Sequence, residues 1–188
     1  MNGRAAYPFQ QALAARRAFR PAGFTTLDEI GLDLDLVSPY QLSCGNAEGP
    51  VLISYNHIDA PTARAHRDRI ARDGYLPEML FNRVLDRALA GTGMVRADIY
   101  LTHAFHALPA TRSATIPERL VMESFERITR HEIKGRPVIA LGQAAAKCCA
   151  AFEVPHRSVP HLSARGMSIE AKARLLAEAL SETIARAA

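Results

Sequence analysis

The chain lacks most of the features that announce a specialised class. Among its 188 residues only three are cysteine, two of them adjacent, Cys148 and Cys149. That number builds no disulfide framework, and no Cys-x-x-Cys pair offers a zinc or iron–sulfur site. No apolar run approaches the ~20 residues that span a bilayer. The first residues, Met1-Asn2-Gly3-Arg4, continue into a mixed polar and alanine segment without the apolar core of a secretion signal. A reducing cytoplasm and no membrane partner are therefore expected. Neither common Gly-rich phosphate loop occurs, which argues against a nucleotide-driven enzyme. Internal repeats and low-complexity tracts are also missing.

What is present is ordinary for a soluble globular protein: 48% hydrophobic and 22% charged residues. The length suits one domain, residues 1–188, with a core of useful size. The formal charge of +4 permits a polyanionic partner. Arginine dominates the cations, and its planar fork suits phosphate better than lysine does.

Residues 1–48 read as an N-terminal helix and an irregular lead-in. Gln10 to Phe19 is an Ala-rich helix carrying Arg16 and Arg17, stopped before Pro21. Gly31 to Asn46 mixes a short alternation (Leu32, Leu34, Leu36), which offers an edge strand, with Ser, Pro and Gly. Gly49-Pro50 then introduces Val51-Leu52-Ile53, a short apolar run expected to be a buried central strand. Thr62 to Asp73, rich in Arg and His, reads as a solvated or ligand-facing helix. Apolar residues at helical spacing (Met79, Leu80, Val84, Leu85, Ala88, Leu89) predict a helix from Pro77 to Gly91. Asp98 to Phe105 is expected as a second strand, Ile116 to about His131 as a helix, and Arg136 to Gly142 as a third strand. Gln143 to Phe152 forms a small-residue helix, Arg157-Ser158-Val159 a short strand, and a last helix begins near Ser168, a suitable N-cap.

Strands alternating with helices at this spacing predict βαβ units and a three-layer α/β/α sandwich around a four-stranded parallel sheet. Polar clusters follow the first, second and fourth strands. In open parallel sheets ligands bind where strand ends open into loops. One sheet edge would thus gather Asn56 or Asp59, His103 and His161.

The order of these elements resembles the uracil-DNA glycosylase superfamily, from about Pro50 onward. Val51-Leu52-Ile53-Ser54-Tyr55-Asn56-His57 is similar to that superfamily's first motif, a strand ending in Gly-x-(Asp or Asn)-Pro. Phe81-Asn82-Arg83 and its helix resemble the segment after it, Val138 to Ala145 the third strand and its helix, and Val159-Pro160-His161-Leu162-Ser163 the second motif, His-Pro-Ser. The chain departs from the pattern at four places. Ser54 stands where the family has Gly, His57 where it has Pro, His103 where an Asn reads the base, and Leu162 where the second motif has Pro.

The resemblance implies a monofunctional DNA glycosylase, acting without metal or other cofactor and expected as a monomer, that hydrolyses the N-glycosidic bond of a flipped-out base. The altered pocket points to a modified pyrimidine, such as a hydroxymethylated or glucosylated base of phage DNA, or to uracil. Such a role would be defensive rather than housekeeping. Asn56 takes the water-positioning place; a second register, setting Asp59-Ala60-Pro61 against the Glu-Ala-Pro of other branches, gives the role to Asp59. His161 would stabilise the departing base. Tyr55, His103 and Tyr75 would contact the base. Ser163, Arg165, Arg64 and Arg112 would contact DNA, with Arg165 at the wedge position. Two rival readings remain: a silent nucleic-acid-binding module of the same fold, and a hydrolase or transferase of free nucleosides.

Overall fold

The computed structural model describes residues 8–187. Its centre is β1, Val51–Ser54, buried along its whole length because it lies inside the sheet and is covered on both faces. On one side it pairs in parallel with β2, Tyr100–His103, and on the other with β3, Val138–Leu141. Beyond β3 lies β4, Arg157–Val159, also parallel, so the order is β2-β1-β3-β4. Continuous apolar runs such as Val51-Leu52-Ile53 suit strands buried on both faces.

Alternation along each strand assigns the two faces. Val51, Ile53, Tyr100, Val138 and Ala140 meet one helical layer. This layer holds α1 (Gln10–Ala18), α5 (Glu118–Ser124), α6 (Arg130–Ile133) and α7 (Gln143–Ala151). Leu52, Leu101, Ile139, Leu141 and Val159 meet the other layer, α4 (Leu80–Thr92) and α8 (Ile169–Ala187). The fold is thus the three-layer α/β/α arrangement. A smaller core lies under α2 (Ala60–Ala65) and α3 (Arg67–Asp73), where Ile58, Ala63, Ile70 and Leu76 pack against Leu27, Leu32 and Leu108.

Several boundaries differ from the sequence expectation, each for a local reason. The helix expected over 62–73 is two helices, broken at His66, whose φ of −118° and ψ of 21° leave the helical region. Asp59, not Thr62, begins the first of them: its carboxylate accepts from the Thr62 N–H at 3.0 Å, and Pro61 occupies the first turn, where a missing N–H costs nothing. The next helix begins at Leu80 because Pro77 sits in the turn before it. The second strand is only Tyr100–His103, since Arg96–Asp98 winds into a tight turn and the chain leaves the sheet after His103. Leu32, Leu34 and Leu36 form no strand; Leu34 and Asp35 have positive φ and turn the chain instead. The helix expected over 116–131 carries a π-type turn, Phe125–Thr129, between α5 and α6. Ser168 is the expected cap, accepting from the Ala171 N–H at 3.1 Å.

Among the described residues, no helix is long and apolar enough to cross a membrane.

Candidate functional site

From β1 the chain leaves toward β2, and from β3 it leaves toward β4, so the connections diverge at the boundary of these two neighbouring strands. In parallel sheets that divergence opens a crevice at the carboxyl ends of the strands. A pocket of about 470 Å³ lies at these ends, lined by the loop after β1, the start of α4 and the loop after β4. Its volume falls within the range of small-molecule sites.

The loop after β1 supplies Tyr55, Asn56, His57 and Asp59. It is fixed at both ends, by Ser54 in the sheet and by Asp59 at the cap of α2. Asp59 is nearly buried and fully engaged: both carboxylate oxygens accept from the Thr62 hydroxyl, at 3.0 and 2.9 Å, and Arg112 lies 3.4 Å away. Asn56 is freer. Its amide donates to the Ile58 carbonyl at a long 3.4 Å, and the side chain is otherwise open to the pocket.

His161 enters from the loop after β4. Its Nδ1 accepts from the Ser163 N–H at 3.2 Å. A backbone N–H only donates, so the neutral ring carries its proton on Nε2. Burial, with the Lys172 charge beside it, lowers the pKa of His161 and keeps the ring neutral. Lys172 also donates to the Ala164 carbonyl at 3.1 Å, tying this loop to α8. The close approach of β3's end depends on Gly142, whose φ is +95°. A Cβ there would fall 2.9 Å from that of His161. Leu162, which stands where the resemblance expects proline, fills the core under the loop.

Aromatic groups line the rest. Phe81 packs 5.7 Å from His161 and 5.9 Å from Tyr40, ring centre to ring centre. Tyr40 and His57 meet edge to face at 5.0 Å. Ser54, Ile58, Met79 and Leu80 also line it, and Arg112, Ser163 and Arg165, all three exposed, complete the lining.

Of the residues expected at the site, Asn56, Asp59, Tyr55, His161, Ser163, Arg165 and Arg112 share this pocket. Three do not. His103 lies beneath it, 2% exposed, with Nδ1 bonded to the Ser54 hydroxyl at 2.7 Å and Nε2 to the Ser38 hydroxyl at 2.9 Å. Register explains this: Ser54 and His103 are paired neighbours, so their side chains leave the sheet on the same face. Tyr75 lies behind Tyr40, stacked on it at 6.3 Å, and the Arg96 guanidinium covers it at 3.6 Å. Arg64 belongs to a separate open groove with His66, Arg67, Arg69 and Arg72, and reaches the Thr25 hydroxyl at 3.5 Å. Three of its four arginines are already paired, Arg67, Arg69 and Arg72 with Asp68, Glu78 and Asp73.

Sequence reasoning missed Tyr40, Phe81 and the pocket-lining place of His57. His57 had a local signal in the polar cluster after β1 and Phe81 one in the Phe81-Asn82-Arg83 segment of the resemblance, whereas Tyr40 had none. Three of the departures from the resembled motif meet one another: Ser54 bonds His103, and His57 packs on it at 5.6 Å.

Behind His103 a buried polar chain runs into the core. His106 bonds the Thr129 hydroxyl at 3.1 Å, and that hydroxyl donates to the His103 carbonyl at 2.6 Å. Since the hydroxyl has one proton, His106 must donate to it from Nε2. Glu132 lies 3.7 Å from His106 and accepts from Tyr100 and Thr102 at 2.6 Å each and from Gln41 at 3.0 Å. Burial lifts the Glu132 carboxyl to about 7. Burial also lowers His106 to about 3, His57 to about 4, and His103 well below its ordinary value.

Among the described residues, no group of three or more His, Cys, Asp or Glu is placed to hold a metal ion. In comparisons with known proteins, no family model and no curated sequence matches the chain.

Proposed function

We propose that the pocket binds an extruded nucleobase of DNA and that the protein hydrolyses its N-glycosidic bond, leaving an abasic site. The observation that carries this reading is the convergence of Asn56 and His161 from opposite loops on one aromatic-walled pocket with arginines at its rim. The resemblance of the same two segments to the glycosylase motifs supports it independently.

Breaking an N-glycosidic bond passes through a sugar with oxocarbenium character while the base departs with the bonding electrons. Water forms the new bond to the sugar carbon, and its proton ends on the base. Asn56, whose amide has only one long contact inside the protein, orients that water. The neutral His161 presents an Nε2–H to the departing base and stabilises its growing negative charge. Phe81 and Tyr55 wall the planar ring, and Arg112 and Arg165 hold flanking phosphates. Extruding the base costs a few kcal/mol, which those contacts offset.

One observation favours a second reading, the silent nucleic-acid-binding module: the nearest carboxylate, Asp59, is spent on capping α2 and on Arg112. Single-turnover assays on duplexes with a panel of pyrimidines, uracil and hydroxymethylated or glucosylated bases included, separate the two. Abasic product that is lost in Asn56→Ala and in His161→Ala establishes hydrolysis. Binding without abasic product from any duplex establishes the silent module.

A further inference from the structure

His57 is a pocket residue that the mechanism above leaves without a role. Its Nδ1 is buried and has no hydrogen-bond partner. Among the described residues its Nε2 makes no hydrogen bond either, but it is not sealed from solvent as Nδ1 is, and the ring lines the pocket. A buried N–H left unpaired is rarer in proteins than a buried lone pair. The proton therefore belongs on Nε2, and the ring offers a donor to whatever fills the pocket.

The direction of that donor is fixed by packing. Tyr40 meets the His57 ring edge to face at 5.0 Å and 81°, and His103 meets it at 5.6 Å and 63°. His103 is itself held at both nitrogens by Ser54 and Ser38. His57 thus stands on a rigid base, and a donor held this way loses little freedom when it bonds a ligand. Neither His103 nor His106 can substitute for it. The first has both nitrogens occupied and the second bonds Thr129 inside the core.

We infer that His57 is the specificity-determining residue of this pocket, its Nε2–H donating to a carbonyl oxygen or unprotonated ring nitrogen on the edge of the bound base. The inference rests on the base-binding reading above. With the Nε2–H of His161, it gives the pocket two neutral donors from opposite loops and no fixed positive charge between them. A base whose edge carries two acceptors satisfies both. A base that turns an amino group to either one leaves two donors opposed, at a cost of tenfold or more in affinity.

Two measurements test it on the full chain. Long-range proton–nitrogen spectra report the tautomers directly, and both His57 and His161 should carry the proton on Nε2. A proton on Nδ1 of His57 overturns the inference whatever the protein binds. The second measurement is equilibrium binding to duplexes whose target sugar is fluorinated to block hydrolysis. The targets are uracil and 5-hydroxymethylcytosine, each opposite guanine, with an ordinary cytosine duplex as reference. For whichever target is bound more tightly than the reference, His57→Phe should lose at least tenfold while melting within a few degrees of the parent. His57→Gln, whose amide supplies a donor, should recover to within about threefold. Equal binding by parent and His57→Phe overturns the role of His57 and leaves the base-binding reading standing. If the parent binds neither of these, nor a duplex carrying the glucosylated base, better than the reference, the base-binding reading fails and the inference falls with it.

Discussion

Replacing Glu132 by Gln should make the protein more sensitive to mild acid, although it removes an acidic group from the core. The sign follows from proton linkage. Glu132 has its pKa raised from 4.5 to about 7, so between those values the native state holds a proton that the unfolded chain has released. Its contribution to stability therefore grows as pH falls through 7. From pH 7.5 to 5 the gain is about 2–3 kcal/mol. The buried histidines act the other way. His106 stays neutral to about pH 3 when folded, whereas an unfolded histidine titrates at 6.5. At pH 5 protonation stabilises the unfolded chain by about 2 kcal/mol for such a ring. His103 adds in the same direction, and His57 adds less because its ring opens on the pocket. The parent should lose on the order of 2 kcal/mol over this range, and Glu132→Gln roughly twice that. Asp28, Asp33 and Glu29 have lowered pKa values, so their losses fall below about pH 4.5 and leave the window clean. The substitution is close to isosteric. The new carbonyl oxygen can keep the Tyr100 and Gln41 donors, and Thr102 can turn its hydroxyl to accept from the new amide. Urea unfolding followed by circular dichroism at pH 7.5, 6.5, 5.5 and 5 measures both slopes. Parallel profiles for parent and variant, or a flatter one for the variant, would refute the assignment of a raised Glu132.

Three further outcomes are expected. Gly142→Ala places a Cβ 2.9 Å from that of His161 at a φ of +95°, so it should cost about 1–3 kcal/mol in urea unfolding and lower turnover more than substrate binding. Asp59→Asn keeps an N-capping side chain while removing the charge beside Arg112; stability should fall by no more than about 1 kcal/mol, and single-turnover activity should survive it but not Asn56→Ala. Arg112→Ala should change stability by less than about 1 kcal/mol, because the arginine is 67% exposed, yet reduce the salt dependence of DNA binding by about one phosphate contact.

The framework was legible because it is local. Short apolar runs marked the first three strands, and the polar residues after the first and fourth strands marked the sheet edge that carries the pocket. The position of His103 was not legible. Whether a side chain at a strand end rises into the pocket or drops beneath it depends on pairing with Ser54, 49 residues away. Tyr40 was hidden for a similar reason, since it reaches the pocket from an element that tertiary packing alone brings there. Asp59 shows the converse: Asp-Ala-Pro before a helix carries a capping signal, and the cap explains that carboxylate before any catalytic role is invoked.

The π-type turn at Phe125–Thr129 has a consequence for the phase of everything after it. Such a turn acts as a single inserted residue, which rotates the remainder of the helix by about 100°. Upstream of it Leu120 and Val121 address the apolar core; at and beyond it Phe125, Ile128 and Ile133 keep that contact while Thr129 reaches the His103 carbonyl and Glu132 reaches Thr102 and Tyr100. Deleting one residue there should restore a regular helix and keep the helical content, while swinging Glu132 off the strand it serves. The polar chain behind the pocket is in this sense timed by one extra residue.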